Sequence, residues 1–201
     1  MKVDGGGRMA EEIKDGNPDY SYCSSGEWDG GLWEEAKPIY AAAFPEHGRK
    51  PERIVRAMFR KGMCRLHAAR LNGEPAAMAL SGPDTGRGIW VIDYLAVADS
   101  WRGQGIGKRF LDDIRAEAEA FPWCRGIVVE AEAEETEVNL ARIRFWQACG
   151  FQLTGYVHHY IWVPEPYRAL ALSFPGREAL SLDGRELFKA ITAFHERAYR
   201  K

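Results

Sequence analysis

The sequence predicts a single mixed α/β or α+β domain. Along its 201 residues, apolar runs typical of strands alternate with segments of helical periodicity, in the order β-α-α-β-β-β-α-β-α-β-β with a C-terminal helix. Asn72-Gly73 lies between two half-apolar runs, which is typical of a β-hairpin. Hydrophobic residues make up 46% and charged residues 28%, an ordinary globular balance with enough chain for a full core.

The first half contains four predicted strands and two predicted helices. Residues 19–25 form a strand, and residues 31–48 form a helix in which Pro38 predicts a start or a bend. Pro51 opens a second helix. The hairpin occupies residues 64–82, and residues 88–97 are apolar almost throughout, which indicates a central strand.

In the second half the pattern continues to alternate. A helix over 105–121 places Ile106, Phe110, Ile114 and Ala118 in one stripe. A strand (125–134), a helix ending before Gly150, two strands (151–163 and 167–174) and a last helix (181–200) follow. We expect a flexible leader over 1–19, the main domain over 20–175 and a helical extension packed on it over 176–201.

Composition excludes several classes of function. A net charge of -2 argues against a general nucleic-acid-binding protein, because such proteins are basic. The sequence has no apolar run long enough to span a membrane and no signal-peptide pattern. Its four cysteines form neither a CxxC pair nor a metal-ligand spacing, so we expect a cytoplasmic protein with reduced, packed cysteines and no metal.

The most informative stretch is RGQGIGKR, residues 102–109, between a predicted strand and a predicted helix. A helix start exposes unpaired backbone N–H groups and the positive end of the helix dipole, which favour an anion. Gly103, Gly105 and Gly107 allow a phosphate to approach the backbone, and Arg102, Lys108 and Arg109 add positive charge. The spacing matches neither the Walker pattern nor GxGxxG, so a diphosphate cradle and a plain helix-capping turn both stay open.

RGQGIG resembles the acetyl-CoA signature of the GNAT N-acetyltransferase superfamily, Arg/Gln-x-x-Gly-x-Gly/Ala. Downstream, NLARIRFWQACGF resembles a second family segment, with Asn139, Phe145, Trp146, Gly150 and Phe151 in matching positions and Arg142 in place of the usual alanine. The two motifs occur in the family's order, and the resemblance covers roughly residues 20–175.

The resemblance implies a central, mostly antiparallel sheet flanked by helices, in which strands 93–97 and 127–132 splay apart around a thioester. It implies acetyl transfer from acetyl-CoA, the co-substrate, to a primary amine. The implied cofactor-binding residues supply backbone amides and a lysine for the pyrophosphate, a strand edge for the pantetheine arm and two contacts from the second motif: Arg102, Gly103, Gln104, Gly105, Ile106, Gly107, Lys108, Leu95, Val97, Asn139 and Trp146.

Amine attack on a thioester requires a base, because the protonated amine has no free electron pair. Asp93 is one candidate, since it interrupts an apolar strand beside the predicted pantetheine edge; a salt bridge to an arginine is the equal alternative. Glu130, with Glu132 on the same strand face, is the other candidate, and a solvated acidic edge is its alternative.

The family's usual general acid is a tyrosine, and Trp146 stands at that position. An indole cannot supply a proton, so Tyr156 is the candidate acid, with Tyr160 and Tyr94 as further choices. His158 and His159 are adjacent on a strand and therefore face opposite sides, which does not suit a metal pair.

Carboxylates near the predicted splay favour a small, cationic amine as acceptor. Alternatives are a protein N-terminal or lysine acetyltransferase, a non-catalytic acyl-CoA-binding protein, or an enzyme for another acyl group. The C-terminal helix is a candidate lid or homodimer element.

Overall fold

The structure, a computed structural model, describes the backbone of residues 9–11 and all of residues 19–200. The predicted flexible leader therefore lies outside the described residues, except for Asp19 and a short strand that the sequence did not predict. The strands are β1 Met9–Glu11, β2 Tyr20–Ser25, β3 Arg65–Leu71, β4 Glu74–Asp84, β5 Ile89–Val97, β6 Gly126–Glu132, β7 Gln152–His159 and β8 Pro166–Ser173. The helices are α1 Gly30–Ala43, α2 Glu52–Arg60, α3 Ile106–Glu119, α4 Glu137–Ala148 and α5 Gly184–Tyr199.

These elements form a mixed α/β fold, which confirms the predicted class and the additional C-terminal helix. The strand order of the sheet is β1-β2-β3-β4-β5-β6-β8-β7. Strand β5 pairs in parallel with β6, whereas the pairs β1–β2, β2–β3, β3–β4, β6–β8 and β7–β8 are antiparallel. The β5–β6 pairing runs from Ile89 opposite Gly126 to Ile92 opposite Val129, and β5 then continues to Val97 and β6 to Glu132.

The chain divides into two compact units. The first unit comprises Met1–Gly82 and Asp93–Ala116, and so contains β2, β3, α1, α2 and the glycine-rich turn before α3. Asp29 caps α1 by accepting the Leu32 N–H at 2.9 Å. The predicted stripe of α3 is buried, together with large side chains of the other elements: Leu32, Trp33, Met58, Leu66, Met78 and Leu80.

The second unit comprises Pro83–Ile92 and Glu117–Lys201. Thr136 caps α4 through the Asn139 N–H at 3.2 Å, and Asp183 caps α5 through the Arg185 N–H at 2.8 Å. Helix α5 packs on β6, β7 and β8. The buried side chains of this unit include Trp90, Ile127, Val128, Phe174, Phe188, Ile191 and Phe194.

Several boundaries differ from the sequence prediction. Helix α1 does not start at Pro38, because buried residues on both sides of it, from Leu32 to Tyr40, hold one continuous helix despite the lost N–H. The same helix ends at Ala43 rather than at residue 48. Strand β7 ends at His159 rather than at residue 163, because the chain turns back over residues 160–165 and His159 pairs with Pro166 at the start of β8. The Asn72-Gly73 turn is confirmed, with φ values of 54° and 81°.

The four cysteines are free, and Cys23, Cys64 and Cys124 are buried. Among the helices that the structure describes, none is both long and apolar enough to cross a bilayer.

Candidate functional site

The glycine-rich turn connects the short 3-10 turn Asp99–Trp101 to the first residue of α3 in the first unit. Gly103 and Gly105 have φ values of 75° and 80°, in the left-handed region that favours glycine. Within the described chain, a Cβ atom at either glycine would meet no heavy atom within 4 Å other than its chain neighbours. Open space therefore lies over the backbone of this turn.

Side chains of the turn hold its shape. The Arg102 Nε donates to the Val97 carbonyl at 3.2 Å, and its Nη2 lies 2.8 Å from the Asp99 carboxylate. Gln104 Nε2 donates to the Ser100 carbonyl at 3.0 Å. The Lys108 Nζ lies 2.6 Å from Asp112 in a pair that is mostly exposed to solvent, so its charge is accessible.

The geometry of the turn fits a diphosphate. The Arg109 N–H donates to the Gly105 carbonyl at 3.2 Å and closes the first turn of α3, so this helical bond begins at the second of the three glycines. The amides before it point out of the helix start, where the dipole is positive. Backbone donors, open space and the Lys108 ammonium together form an arrangement that accepts phosphate oxygens.

Arg109 has a different contact from the one we expected. Its guanidinium lies 3.9 Å from the centroid of the Tyr20 ring, whose hydroxyl donates to Asp113. Burial raises the pKa of Tyr20 above its ordinary value, and the bond to Asp113 acts in the same direction. Arg109 therefore joins α3 to β2.

Asp93 is held in a buried ion pair in the first unit. The Lys50 Nζ donates to Asp93 Oδ1 at 2.8 Å, and the two side chains are 5% and 2% exposed. The Lys50 N–H also donates to the hydroxyls of Tyr40 and Tyr94 at 2.9 and 3.2 Å. This is the salt bridge that the sequence offered as the alternative to a base, with a lysine in place of the arginine.

Glu130 accepts hydrogen bonds on both carboxylate oxygens in the second unit. The Tyr160 hydroxyl donates to Oε2 at 2.6 Å, and His195 Nε2 lies 3.0 Å from Oε1. The side chains of His195 and Glu130 are 13% and 16% exposed, so this group is sheltered yet reachable from solvent. We call Glu130, Tyr160 and His195 the carboxylate cluster.

Tyr156 lies on β7 near α5. Its hydroxyl is 3.4 Å from His158 Nδ1, and the Arg185 guanidinium lies 4.6 Å from its ring centroid. His158 is half-buried and stacks on Phe188 at 4.4 Å, whereas His159 is exposed, which confirms the opposite faces. Burial lowers the pKa of His158 below its ordinary value, while the charge of Glu130 opposes that shift.

Several carboxylates act on Tyr167 in the second unit. Burial raises the pKa of Tyr167, and the charges of Glu130, Glu132 and Glu165 raise it further. Arg142 opposes the effect and lies 3.4 Å from Glu132. Three carboxylates and one guanidinium thus act on the pKa of the Tyr167 hydroxyl.

The two second-motif residues are buried in the second unit. Asn139 accepts a hydrogen bond from Arg142 Nη1 on its side-chain oxygen at 3.0 Å. Trp146 packs on Phe145 and Phe151, with ring centroids 5.2 and 5.1 Å away. Both positions therefore have contacts that stabilise α4.

Sequence reasoning missed Lys50 and His195. Nothing in the local sequence distinguishes Lys50 from an ordinary surface lysine. His195 lies two turns after Phe188 and one turn after Ile191, both buried, and this spacing was a usable signal. Within residues 9–11 and 19–200, no His, Cys, Asp and Glu side chains form a group of three or more that suits a metal ion.

Solved structures share this fold. Naa50 from Arabidopsis thaliana, in complex with the bisubstrate analogue CoA-Ac-MVNAL, has a TM-score of 0.59 and 20% identity over 76% of this chain and 99% of that chain. NAA60 from the same plant, with a bisubstrate analogue, has a TM-score of 0.59 and 17% identity over 77% and 99%. The ribosomal-protein-S18-alanine N-acetyltransferase of Escherichia coli has a TM-score of 0.57 and 19% identity over 80% and 99%.

The search of curated protein sequences returned no match. A sequence profile of the Acetyltransferase (GNAT) family matches residues 32–151, more than half of the chain, and confirms the resemblance carried by the two motifs. Acetyl-CoA is the acetyl donor of this family. The chain therefore belongs to the GNAT acetyltransferase family and is an acyltransferase.

Proposed function

We propose that this enzyme transfers the acetyl group of acetyl-CoA to the primary amine of a small, cationic molecule. The observation that carries the proposal is the turn at Gly103 and Gly105, which opens the first turn of α3 to a diphosphate. In this proposal the backbone amides of residues 102–107 and the Lys108 ammonium bind the pyrophosphate of the donor.

The remaining cofactor contacts extend from that turn. Leu95 and Val97 are half-buried on β5 and offer a strand backbone to the pantetheine arm. Asn139 and Trp146 are proposed as further contacts of acetyl-CoA on the strength of the second motif, and the Asn139 amide would then exchange its bond with Arg142.

We assign the role of base to Glu130. An amine with an ordinary pKa of about 10.4 costs about 4.6 kcal/mol to deprotonate at pH 7, so a proton acceptor near it accelerates the reaction. Glu130 takes one proton from the ammonium, and the freed amine nitrogen attacks the acyl carbon to form the C–N bond. As the C–S bond breaks, the second N–H proton leaves to solvent. Asp93 ranks second, because its carboxylate already compensates the buried Lys50 charge.

The thiolate leaving group needs little assistance, since an ordinary thiol pKa is about 8.5. Tyr156 is the proposed proton donor to it. Its hydroxyl lies 3.4 Å from His158 Nδ1 on the same strand, and this histidine can return a proton to the tyrosine after the transfer.

Charge supports the proposed acceptor class. Three carboxylates, Glu130, Glu132 and Glu165, act together on Tyr167 in the second unit. A cationic amine is attracted by such a field, whereas an acidic acceptor is repelled. Polyamines, amino sugars and basic amino acids have this chemistry.

A protein N-terminal amine is the second candidate acceptor. Two of the similar structures carry bisubstrate analogues, and one of these analogues contains the peptide MVNAL. Ile161 and Trp162 are 96% and 54% exposed in the segment between β7 and β8, which suits contact with an apolar peptide side chain.

Two measurements test the proposal. Calorimetric titration with acetyl-CoA must show binding, or the glycine turn is only a helix cap. Thiol release is then followed with spermidine, an aminoglycoside, lysine and a peptide with a free N-terminus. Turnover of the small amines at a higher kcat/KM than the peptide supports the proposal, and the reverse order replaces it with the second candidate.

We also propose a cytoplasmic location, because free, buried cysteines suit a reducing compartment. Dimerisation through α5 stays a prediction, which light scattering of the purified protein tests.

A further inference from the structure

The Glu130 carboxylate receives its imidazole partner from outside the part of the chain that matches the family. The matching profile ends at residue 151, and His195 lies on α5, which begins at Gly184. The contact between His195 Nε2 and Glu130 Oε1 spans 65 residues of sequence. The additional helix thus brings a titratable group to the proposed base.

We propose that His195 is a positioning residue that, with Tyr160, orients the Glu130 carboxylate to accept the proton of the acceptor amine. This inference rests on the proposed function of Glu130 as the base. His195 acts through Glu130 and does not itself contact the reacting atoms.

The hydrogen bonds support such a role. One donor lies on each oxygen of Glu130, with Tyr160 at 2.6 Å and His195 at 3.0 Å. A carboxylate oxygen only accepts, so a donor on each of the two oxygens restricts the rotation of the carboxylate plane. Hydrogen bonds to an ionised carboxylate are among the stronger ones in proteins and stabilise its charged form.

Packing fixes the imidazole in turn. Its ring centroid lies 5.9 Å from that of Tyr160 and 6.2 Å from that of Phe194, in edge-to-face arrangements. Phe194 and Ile191 are fully buried and anchor α5. Because aromatic walls restrict rotation, His195 holds its bond to Glu130 with a small loss of entropy.

The competing explanation is that His195 only attaches α5 to the sheet. In that case, replacing it lowers stability and leaves the rate of acetyl transfer per folded molecule unchanged. A glutamine at this position retains an N–H donor and loses the imidazole. If His195 orients Glu130, glutamine should restore kcat, whereas an attachment role predicts no change in kcat for any variant that folds.

The experiment compares His195→Gln, His195→Phe and the control Glu196→Gln, a neighbouring exposed change on α5. Spermidine, an aminoglycoside and lysine serve as acceptors, with thermal unfolding and acetyl-CoA titration as checks on folding. We expect His195→Phe to lower kcat by about 10–100-fold, as the loss of an orienting partner does, with a small change in the KM for acetyl-CoA. His195→Gln should recover most of that loss, and Glu196→Gln should match the wild type.

A spectroscopic measurement reads the contact itself. Because a carboxylate only accepts, neutral His195 must carry its proton on Nε2. The imidazole ¹⁵N chemical shifts of His195 are assigned by their disappearance in His195→Gln. They should show the Nε2–H tautomer in the wild type, and in Glu130→Leu they should no longer show a preference for it.

Either of two results overturns the inference: an unchanged kcat in folded His195→Phe, or the absence of the Nε2–H tautomer. If His195→Phe does not fold, the same comparison uses His195→Ala. If wild type acetylates no amine while the tautomer depends on Glu130, the proposed function fails and the contact between the two side chains stands.

Discussion

The Lys50 Nζ lies 2.8 Å from Asp93 Oδ1, and neither side chain exposes more than 5% of its surface. Removing two charges from water is costly, and their attraction compensates only while both are present. Each partner therefore depends on the other for its place in the first unit. This pairing gives Asp93 a clear structural role, whatever it contributes to the reaction.

Lys50→Met should destabilise the protein by about 3–5 kcal/mol, because it leaves the Asp93 carboxylate buried without its ammonium. The double variant Lys50→Met/Asp93→Leu should recover most of that loss. Urea denaturation measures both. The exposed pair of Arg200 and Glu196, at 72% and 48% exposure, is the control, and Glu196→Gln should change stability by less than about 1 kcal/mol. Equal losses in the single and double variants would contradict the mutual dependence.

Gly105→Glu should abolish acetyl-CoA binding, and Gly105→Ala is its matched control. Both variants place a side chain at a φ of 80°, so both carry the same backbone strain of about 1–2 kcal/mol. Only the glutamate brings a negative charge to the proposed pyrophosphate site, and we expect binding at least about 100-fold weaker than in the alanine variant. Calorimetry measures the two dissociation constants, and similar values would place the pyrophosphate elsewhere.

Gly126→Ala should cost about 3 kcal/mol of stability or prevent folding. A Cβ atom at this position would overlap the Leu172 carbonyl oxygen on the paired strand β8, and backbone held in a sheet cannot easily move aside. Gly155→Ala is the control, because within the described chain a Cβ there has open space. Chemical denaturation of both variants is the measurement, and a Gly126→Ala protein as stable as Gly155→Ala would show that β6 and β8 pair differently.

The free energy of unfolding should decrease as the pH falls, and His158 should account for part of that decrease. Burial lowers the pKa of His158, so below its ordinary value near 6.5 the unfolded chain binds a proton more readily than the folded chain. The contribution of neutral His158 is therefore present above about pH 6.5 and decreases as pH falls. Thermal unfolding from pH 7.5 to 5.5 should show a steeper loss in wild type than in His158→Gln. Parallel curves would mean that folding leaves the His158 pKa unchanged.

The order of helices and strands was predictable because local patterns encode it. Ile106 and Phe110 repeat at helical spacing, and Asn72-Gly73 adopts the backbone that a tight hairpin requires. The glycine turn was equally local, since its positive φ values belong to residues 103 and 105 themselves. Local sequence therefore encodes both the order of the elements and the proposed donor site.

Long-range pairings were not predictable in the same way. Lys50 and Asp93 are 43 residues apart, and no periodicity connects them. Strand β8 lies between β6 and β7, an order that depends on tertiary packing rather than on the segments themselves. Helix α1 runs through Pro38 for the same reason, because packing outweighs the local preference.

The hydrogen bond between Glu130 and His195 also bears on the timing of folding during synthesis. Closing a loop of 65 residues is a late folding event, because its entropic cost must be met before the contact forms. At about 5–20 residues per second, a ribosome needs roughly 3–13 s to make the segment from Glu130 to His195. A nascent chain whose glycine turn is already complete therefore waits several seconds for its imidazole. Under the proposed role of His195, full acetyl-transfer activity follows the docking of α5.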